Sequence, residues 1–175
     1  MGLISLISAA VYWFAGWFLF RGIRKLTAHP SGPCRFSLSV IIPARNEEES
    51  LPRLLESLRK QRHAPDEIIV VDDSSDDRTA AIARSFGCKV ISLTGKPESW
   101  TGKSWACWNG ANSATSEVLL FLDADVRCGK DAVELLTGTF EKHGGLISVQ
   151  PKHVTRKLHE QISAFFNIVA VAAAG

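Results

Sequence analysis

Three rhythms of apolar and polar positions follow one another along this chain. Residues 3–20, LISLISAAVYWFAGWFLF, carry no charge, and an apolar run of about 18 residues is the length at which a membrane-crossing helix is expected. Tyr12, Trp13 and Trp17 partly suit an interfacial belt. Arg21, Arg24 and Lys25 follow at once, so the positive-inside rule places everything after them on the cytoplasmic side of the cell membrane, behind a single-pass anchor. A cleaved signal peptide would carry its basic residues before the apolar run, not after it. Residues 27–36 then break the pattern with His29, Pro30, Ser31, Gly32 and Pro33, a composition that marks a linker.

From residue 38 onward, short apolar runs alternate with helical spacing. LSVIIP (38–43) predicts a buried strand. Residues 47–62 predict an amphipathic helix with Leu51, Leu54, Leu55 and Leu58 on one face. EIIVV (67–71) predicts a second strand, and Asp76 or Asp77 caps a helix running to about residue 86. A third strand over 88–93, a helix over 103–114, a fourth strand over 117–122, a helix over 130–142 and a fifth strand over 146–150 complete the series. Strands alternating with helices in this way predict an α/β layer built on a mostly parallel sheet. The parse is therefore an anchor with its basic flank over 1–25, a linker over 26–36, an α/β domain over 37–152, and the start of a further or membrane-interface region over 153–175.

Composition narrows this picture. A chain of 175 residues buries one ordinary core and leaves little for a second full domain. The formal charge of +2 and the charged fraction of 22% give no nucleic-acid footprint. Cys34, Cys88, Cys107 and Cys128 are widely spaced, with no C-x-x-C pair, and read as reduced structural thiols. His153 and His159 have no acid at ligand spacing and are assigned no chemistry.

Ligands of open parallel sheets collect outside the carboxyl ends of the strands. Three such positions are unusually polar here: Pro43-Ala44-Arg45-Asn46-Glu47 after the first strand, Asp72 through Asp77 (DDSSDD) after the second, and Asp123-Ala124-Asp125 after the fourth. Each has an ordinary reading as helix caps and first-turn acids. Together they gather carboxylates that repel unless a cation or hydrogen-bond donors hold them. A hard divalent ion, Mg²⁺ or Mn²⁺, takes one or two carboxylates and completes its shell with phosphate and water, and Asp123 with Asp125 offers that arrangement. Neither G-x-G-x-x-G after the first strand nor G-x-x-x-x-G-K-[ST] anywhere occurs, which argues against dinucleotide and P-loop sites. A receiver domain would carry its acid pair after the first strand.

The segments VIIPARNEEESL, IIVVDDSSDD and LLFLDADV, in this order, resemble the inverting glycosyltransferases of family 2, which have the GT-A fold, a Rossmann-like sheet flanked by helices. The resemblance covers about residues 38–149. It implies a nucleotide-sugar site formed by Arg45, Glu47, Asp73, Lys103 and Asp123, with Asp125 and Asp123 at the metal, and a UDP-sugar such as UDP-glucose as donor. Lys103 enters through the Gly-Lys step in WTGKS. Trp108 departs from the family pattern, where an asparagine is usual, which weakens the contacts implied for that helix.

WTGKSWACW, FLDADV and LISVQPKHVTRKLHEQISAFFNIVAV carry a narrower resemblance to bacterial diaponeurosporenoate glycosyltransferases of carotenoid biosynthesis. That resemblance implies a lipid or carotenoid acceptor, carboxylate or hydroxyl, and a membrane partner. The family's general base lies beyond the D-x-D element, and the chain stops within an apolar stretch. The expectation is therefore the N-terminal half of an enzyme whose base falls beyond Gly175, apparently truncated. The alternative is a catalytically incomplete nucleotide-binding or membrane scaffold protein.

Overall fold

The computed structural model describes residues 11–14 and 35–149. By internal contacts the chain divides into Thr27–Ile147 and a second unit made of Met1–Leu26 with Ser148–Gly175. Of the second unit only residues 11–14, 148 and 149 are described.

The first unit is built on four strands, β1 (Leu38–Ala44), β2 (Glu67–Asp73), β3 (Lys89–Leu93) and β4 (Val118–Phe121), in the spatial order β3-β2-β1-β4. All three pairings are parallel. Between and after them run α1 (Leu51–Arg59), α2 (Thr79–Ser85), α3 (Gly102–Ser113) and α4 (Ala132–His143). Parallel neighbours need a crossover, and each helix between strands supplies one.

β1 lies inside the sheet and is buried along nearly its whole length, which is why its sequence is continuously apolar instead of alternating. Its side chains still divide by parity. Leu38, Val40, Ile42 and Ala44 share a core with Leu51, Leu54, Leu55 and Leu58 of α1 and with Ala83 and Val133. Ile41 turns to the opposite face and joins Ile69, Val71 and Ala106 of α3. The four leucines of α1 are fully buried, each contributing roughly 1.5–3 kcal/mol of burial. They are the face that the helical spacing predicts.

α3 lies close against the sheet through its small residues. A Cβ at Gly110 would meet Ile41 Cγ2 at 2.5 Å and Val71 Cγ2 at 3.1 Å. Both neighbours are fully buried and have no room to move. Gly110→Val is expected to lower stability by about 2–3 kcal/mol through overpacking, although glycine itself costs about 1 kcal/mol in a helix interior. Urea denaturation reads this as a lower midpoint, and an unchanged midpoint would show that α3 can lift off the sheet at no cost.

Two sequence expectations are corrected. Among the described residues no helix is long and apolar enough to cross a membrane, which overturns the N-terminal transmembrane helix expected over 3–20. Only residues 11–14 of that run are described, as one exposed helical turn. The rest of the run and Arg21, Arg24 and Lys25 lie outside the described residues.

The expected fifth strand is also absent over its described part, 146–149. An apolar run becomes a strand only where a neighbour takes its backbone hydrogen bonds. These residues pair with none of the four strands, and Leu146 is almost fully exposed. Cys88, Cys107 and Cys128 are free, half-buried thiols, and burial pushes Cys88 up to about 11, so it is inert at neutral pH. Cys34, His153, His159 and the apolar stretch 162–171 lie outside the described residues.

Candidate active site

Strand register brings the polar clusters together. Ala44 pairs with Asp72, so the next residues of the two chains, Arg45 and Asp73, emerge side by side at the carboxyl edge of the sheet. Their side chains stand 3.9 Å apart, Arg45 mostly exposed and Asp73 largely covered. Ile41 pairs with Phe121 and Leu122 N–H donates to the Ile41 carbonyl, which brings Asp123 and Asp125 out beside the same edge. α3 begins after β3 with Thr101 as its cap, accepting from Ser104 N–H, and presents Gly102 and Lys103 to the same place.

These segments enclose a cleft of about 450 Å³, and Arg45, Glu47, Asp73, Lys103, Asp123 and Asp125 all line it. The structure thus gathers every residue that the sequence nominates for the site. Lys103 Nζ lies 2.5 Å from Asp123 Oδ1. The hydrogen bond to Asp123 raises the Lys103 pKa above its usual value, with the charges of Asp123 and Asp125 adding to it against partial burial. Lys103 is a full cation at neutral pH.

The acids of the second cluster divide into two jobs. Asp72 is buried, and its carboxylate accepts from Ser75 N–H at 3.3 Å. Asp77 Oδ1 accepts from Thr79 N–H at 2.8 Å and from Thr79 Oγ1, while Asp77 Oδ2 accepts from Glu48 N–H at 3.0 Å. Burial opposes ionisation of Asp77, but these hydrogen bonds outweigh it and hold its pKa below the ordinary value. Further bonds lace the two loops: Asn46 N–H donates to Ser75 Oγ, Asp76 N–H to Asn46 Oδ1, and Glu47 N–H to Thr79 Oγ1. Asn46 and Ser74 adopt left-handed backbone, φ 55° and 57°, conformations that cost non-glycine residues energy and cluster at functional turns. Of the DDSSDD run, only Asp73 lines the cleft.

Sequence reasoning missed two features. Gly102 stands in the sequence only as part of the Gly-Lys step, yet a Cβ there would collide with Asp73 Oδ2; the glycine lets the start of α3 come down onto that carboxylate. Asn46, Ser75 and Thr79 tie the loops together, and no periodicity signals that role. Trp108, the departure from the family pattern, does not line the cleft. It stands half exposed with its ring centroid 5.8 Å from that of Trp100.

The donor set favours a cation in a particular way. Among the described residues no group of three or more His, Cys, Asp or Glu could hold a metal alone. The cleft nevertheless carries two cationic and four acidic side chains, a formal excess of two negative charges. A diphosphate entering it meets repulsion that a divalent ion relieves, and an exposed carboxylate pair with phosphate oxygens is the kind of shell Mg²⁺ or Mn²⁺ takes. Asp125 and Asp123 therefore fit such an ion when a phosphate ligand completes its coordination.

Comparison with known proteins agrees with this geometry. Residues 39–162 match the sequence profile of Glycosyl transferase family 2. The 4,4'-diaponeurosporenoate glycosyltransferase of Staphylococcus haemolyticus (strain JCSC1435) is 47% identical over 140 residues, 77% of this chain and 37% of that protein. The chain thus spans little more than a third of the length of the curated relatives it matches. Among solved structures, S. aureus TarS 1–349 in complex with UDP-GlcNAc is 28% identical with a TM-score of 0.50, over 69% of this chain and 37% of that one. Glucosyl-3-phosphoglycerate synthase from Mycobacterium tuberculosis, in complex with Mn²⁺, UDP and glucosyl-3-phosphoglycerate, is 26% identical with a TM-score of 0.54, over 65% and 46%.

Proposed function

We propose, for a chain that belongs to glycosyl transferase family 2, that its cleft binds a nucleotide-sugar, with a UDP-sugar such as UDP-glucose as donor, and passes the sugar to a lipid-like acceptor. The observation that carries this reading is the convergence of Arg45, Glu47, Asp73, Lys103, Asp123 and Asp125 on one cleft at the carboxyl edge of a parallel sheet. In this reading Asp73, with Arg45 and Glu47 beside it, holds the nucleoside. Lys103 sets a fixed positive charge at the diphosphate. A divalent ion on Asp125 and Asp123 would neutralise the charge that gathers on the departing diphosphate.

The transfer is an inverting displacement. An acceptor oxygen forms a bond to the anomeric carbon while the bond from that carbon to the phosphate oxygen breaks, and the electron pair leaves with the nucleoside diphosphate. A hydroxyl acceptor needs a base for its proton, whereas a carboxylate acceptor has none to lose. The diaponeurosporenoate glycosyltransferases support an acceptor of the second kind, an apolar polyene ending in a carboxylate. A cytoplasmic position for the domain belongs to the same reading, because a charged nucleotide does not pass through hydrocarbon unaided.

The deciding experiment incubates the full-length protein with UDP-glucose, Mn²⁺ and a polyene carboxylate, following glycosyl ester formation and UDP release. Transfer with inversion is expected. UDP binding with neither transfer nor donor hydrolysis over a range of sugars would leave a nucleotide-binding scaffold instead.

A further inference from the structure

A second cavity, of about 270 Å³, opens between α1 and the loop that follows β4. Four cations line it, Arg53 from α1, Lys60 at its C-cap, and Arg127 and Lys130 from the loop, with Glu56 the one acid. Glu56 lies 3.9 Å from Lys60. Among the described residues Arg53, Arg127 and Lys130 enter no ion pair. The cavity thus holds a formal excess of three positive charges, more than the +2 of the entire chain. Cys128, also in its wall, does not offset them, since burial raises its pKa and keeps the thiol neutral.

Like charges on long side chains normally spread into solvent. The four cations here are exposed, but the two segments that carry them are fastened to each other. Buried Gln61 donates to the carbonyl of Gly129 at 2.6 Å and to that of Ser57 at 3.0 Å, and accepts from Val133 N–H at 3.0 Å. Cys128 N–H donates to Ser57 Oγ at 3.1 Å, and Arg62 N–H to the Lys130 carbonyl at 3.2 Å. The backbone under the cations is therefore held in place before any ligand arrives, which removes much of the ordering cost of binding. Two guanidinium and two ammonium groups around one small cavity match the oxygens of a phosphate group, which arginine holds in bidentate fashion.

We propose that this cavity is a phosphate-binding site distinct from the nucleotide cleft, for a phosphomonoester or phosphodiester group borne by a lipid headgroup or a soluble molecule. It does not share a lining residue with the cleft, although Arg127 follows Asp125 by two residues in the same loop.

The test compares three forms of the full-length protein: wild type, Arg53→Gln with Lys130→Gln, and a charge-matched control, Arg84→Gln with Lys96→Gln, whose residues are exposed and lie outside the cavity. One arm measures sedimentation with vesicles of phosphatidylglycerol in phosphatidylcholine, the other thermal stabilisation by inorganic phosphate. In at least one arm the cavity variant is expected to bind about 10- to 30-fold more weakly than wild type, given roughly 1 kcal/mol per basic residue at an anionic surface. The charge-matched control should match wild type there. An effect confined to vesicles names the lipid headgroup as the source, and an effect with inorganic phosphate a soluble one. Equal weakening in the charge-matched control, or no difference between the cavity variant and wild type in either arm, overturns the proposal.

Discussion

Gly102→Ala is expected to reduce the affinity for UDP by about 10- to 100-fold while leaving the fold almost untouched. The added methyl collides with Asp73 Oδ2, and the far end of a side chain gives way more easily than two backbones. The carboxylate therefore turns aside and leaves both its place in the cleft and its approach to Arg45 at 3.9 Å. Hydrogen bonds to a charged group are worth roughly 1.5–3 kcal/mol, and each 1.4 kcal/mol is tenfold in affinity. At the same time alanine favours the helix over glycine, so stability should hold or rise slightly. Calorimetric titration with UDP, beside a urea melt, separates the two. Asp73→Ala should reproduce the loss without the clash, and a Gly102→Ala protein with wild-type affinity would mean that Asp73 does not hold the nucleoside.

How far this was readable from the chain differs by the kind of signal. The elements of the α/β unit are legible in the apolar pattern, because β1 must be apolar on both faces and α1 on one, and those demands leave a continuous apolar run for the strand and a 3.6 spacing for the helix. The gathering of the three polar clusters was readable too, since a parallel sheet puts the residues after each strand on a single edge, whereas Lys103 was reached only through the resemblance of its Gly-Lys step. Division of labour inside DDSSDD was not. Asp73 and Asp77 are the same residue type four positions apart, and only the path of the loop decides that one lines a cleft while the other accepts from Thr79 and Glu48. The clash that reserves Gly102 depends likewise on the docking height of α3. A charge-free run at 3–20 has the right composition for a crossing helix, but composition does not settle the helix itself, and the described residues hold none that could cross.

That division of labour is tested most sharply by pairing Asp125→Ala with Asp77→Ala. Asp125→Ala is expected to remove most of the Mn²⁺ dependence of UDP binding and to leave stability near wild type, because Asp125 is exposed and among the described residues its side chain supports no other part of the fold by hydrogen bond. Without that carboxylate the ion loses a direct bond, and the diphosphate then faces the remaining acids of the cleft unscreened. Asp77→Ala should do the reverse, lowering the urea midpoint by freeing the Glu48 and Thr79 N–H groups and loosening both loops, while the enhancement of UDP affinity by Mn²⁺ persists. The Asp77 contribution also has a pH signature. Its folded pKa lies below the unfolded value, so the stability it adds is present above the unfolded pKa and is lost as pH falls through the folded one. Wild type should therefore lose more stability than Asp77→Ala on acidification through that window. Titrations of UDP with and without Mn²⁺ on the three proteins, with urea melts at neutral and acid pH, read all of this at once. Unchanged Mn²⁺ dependence in Asp125→Ala would move the metal away from Asp123-Ala124-Asp125, and unchanged stability in Asp77→Ala would mean that the two loops hold their shape without the carboxylate between them.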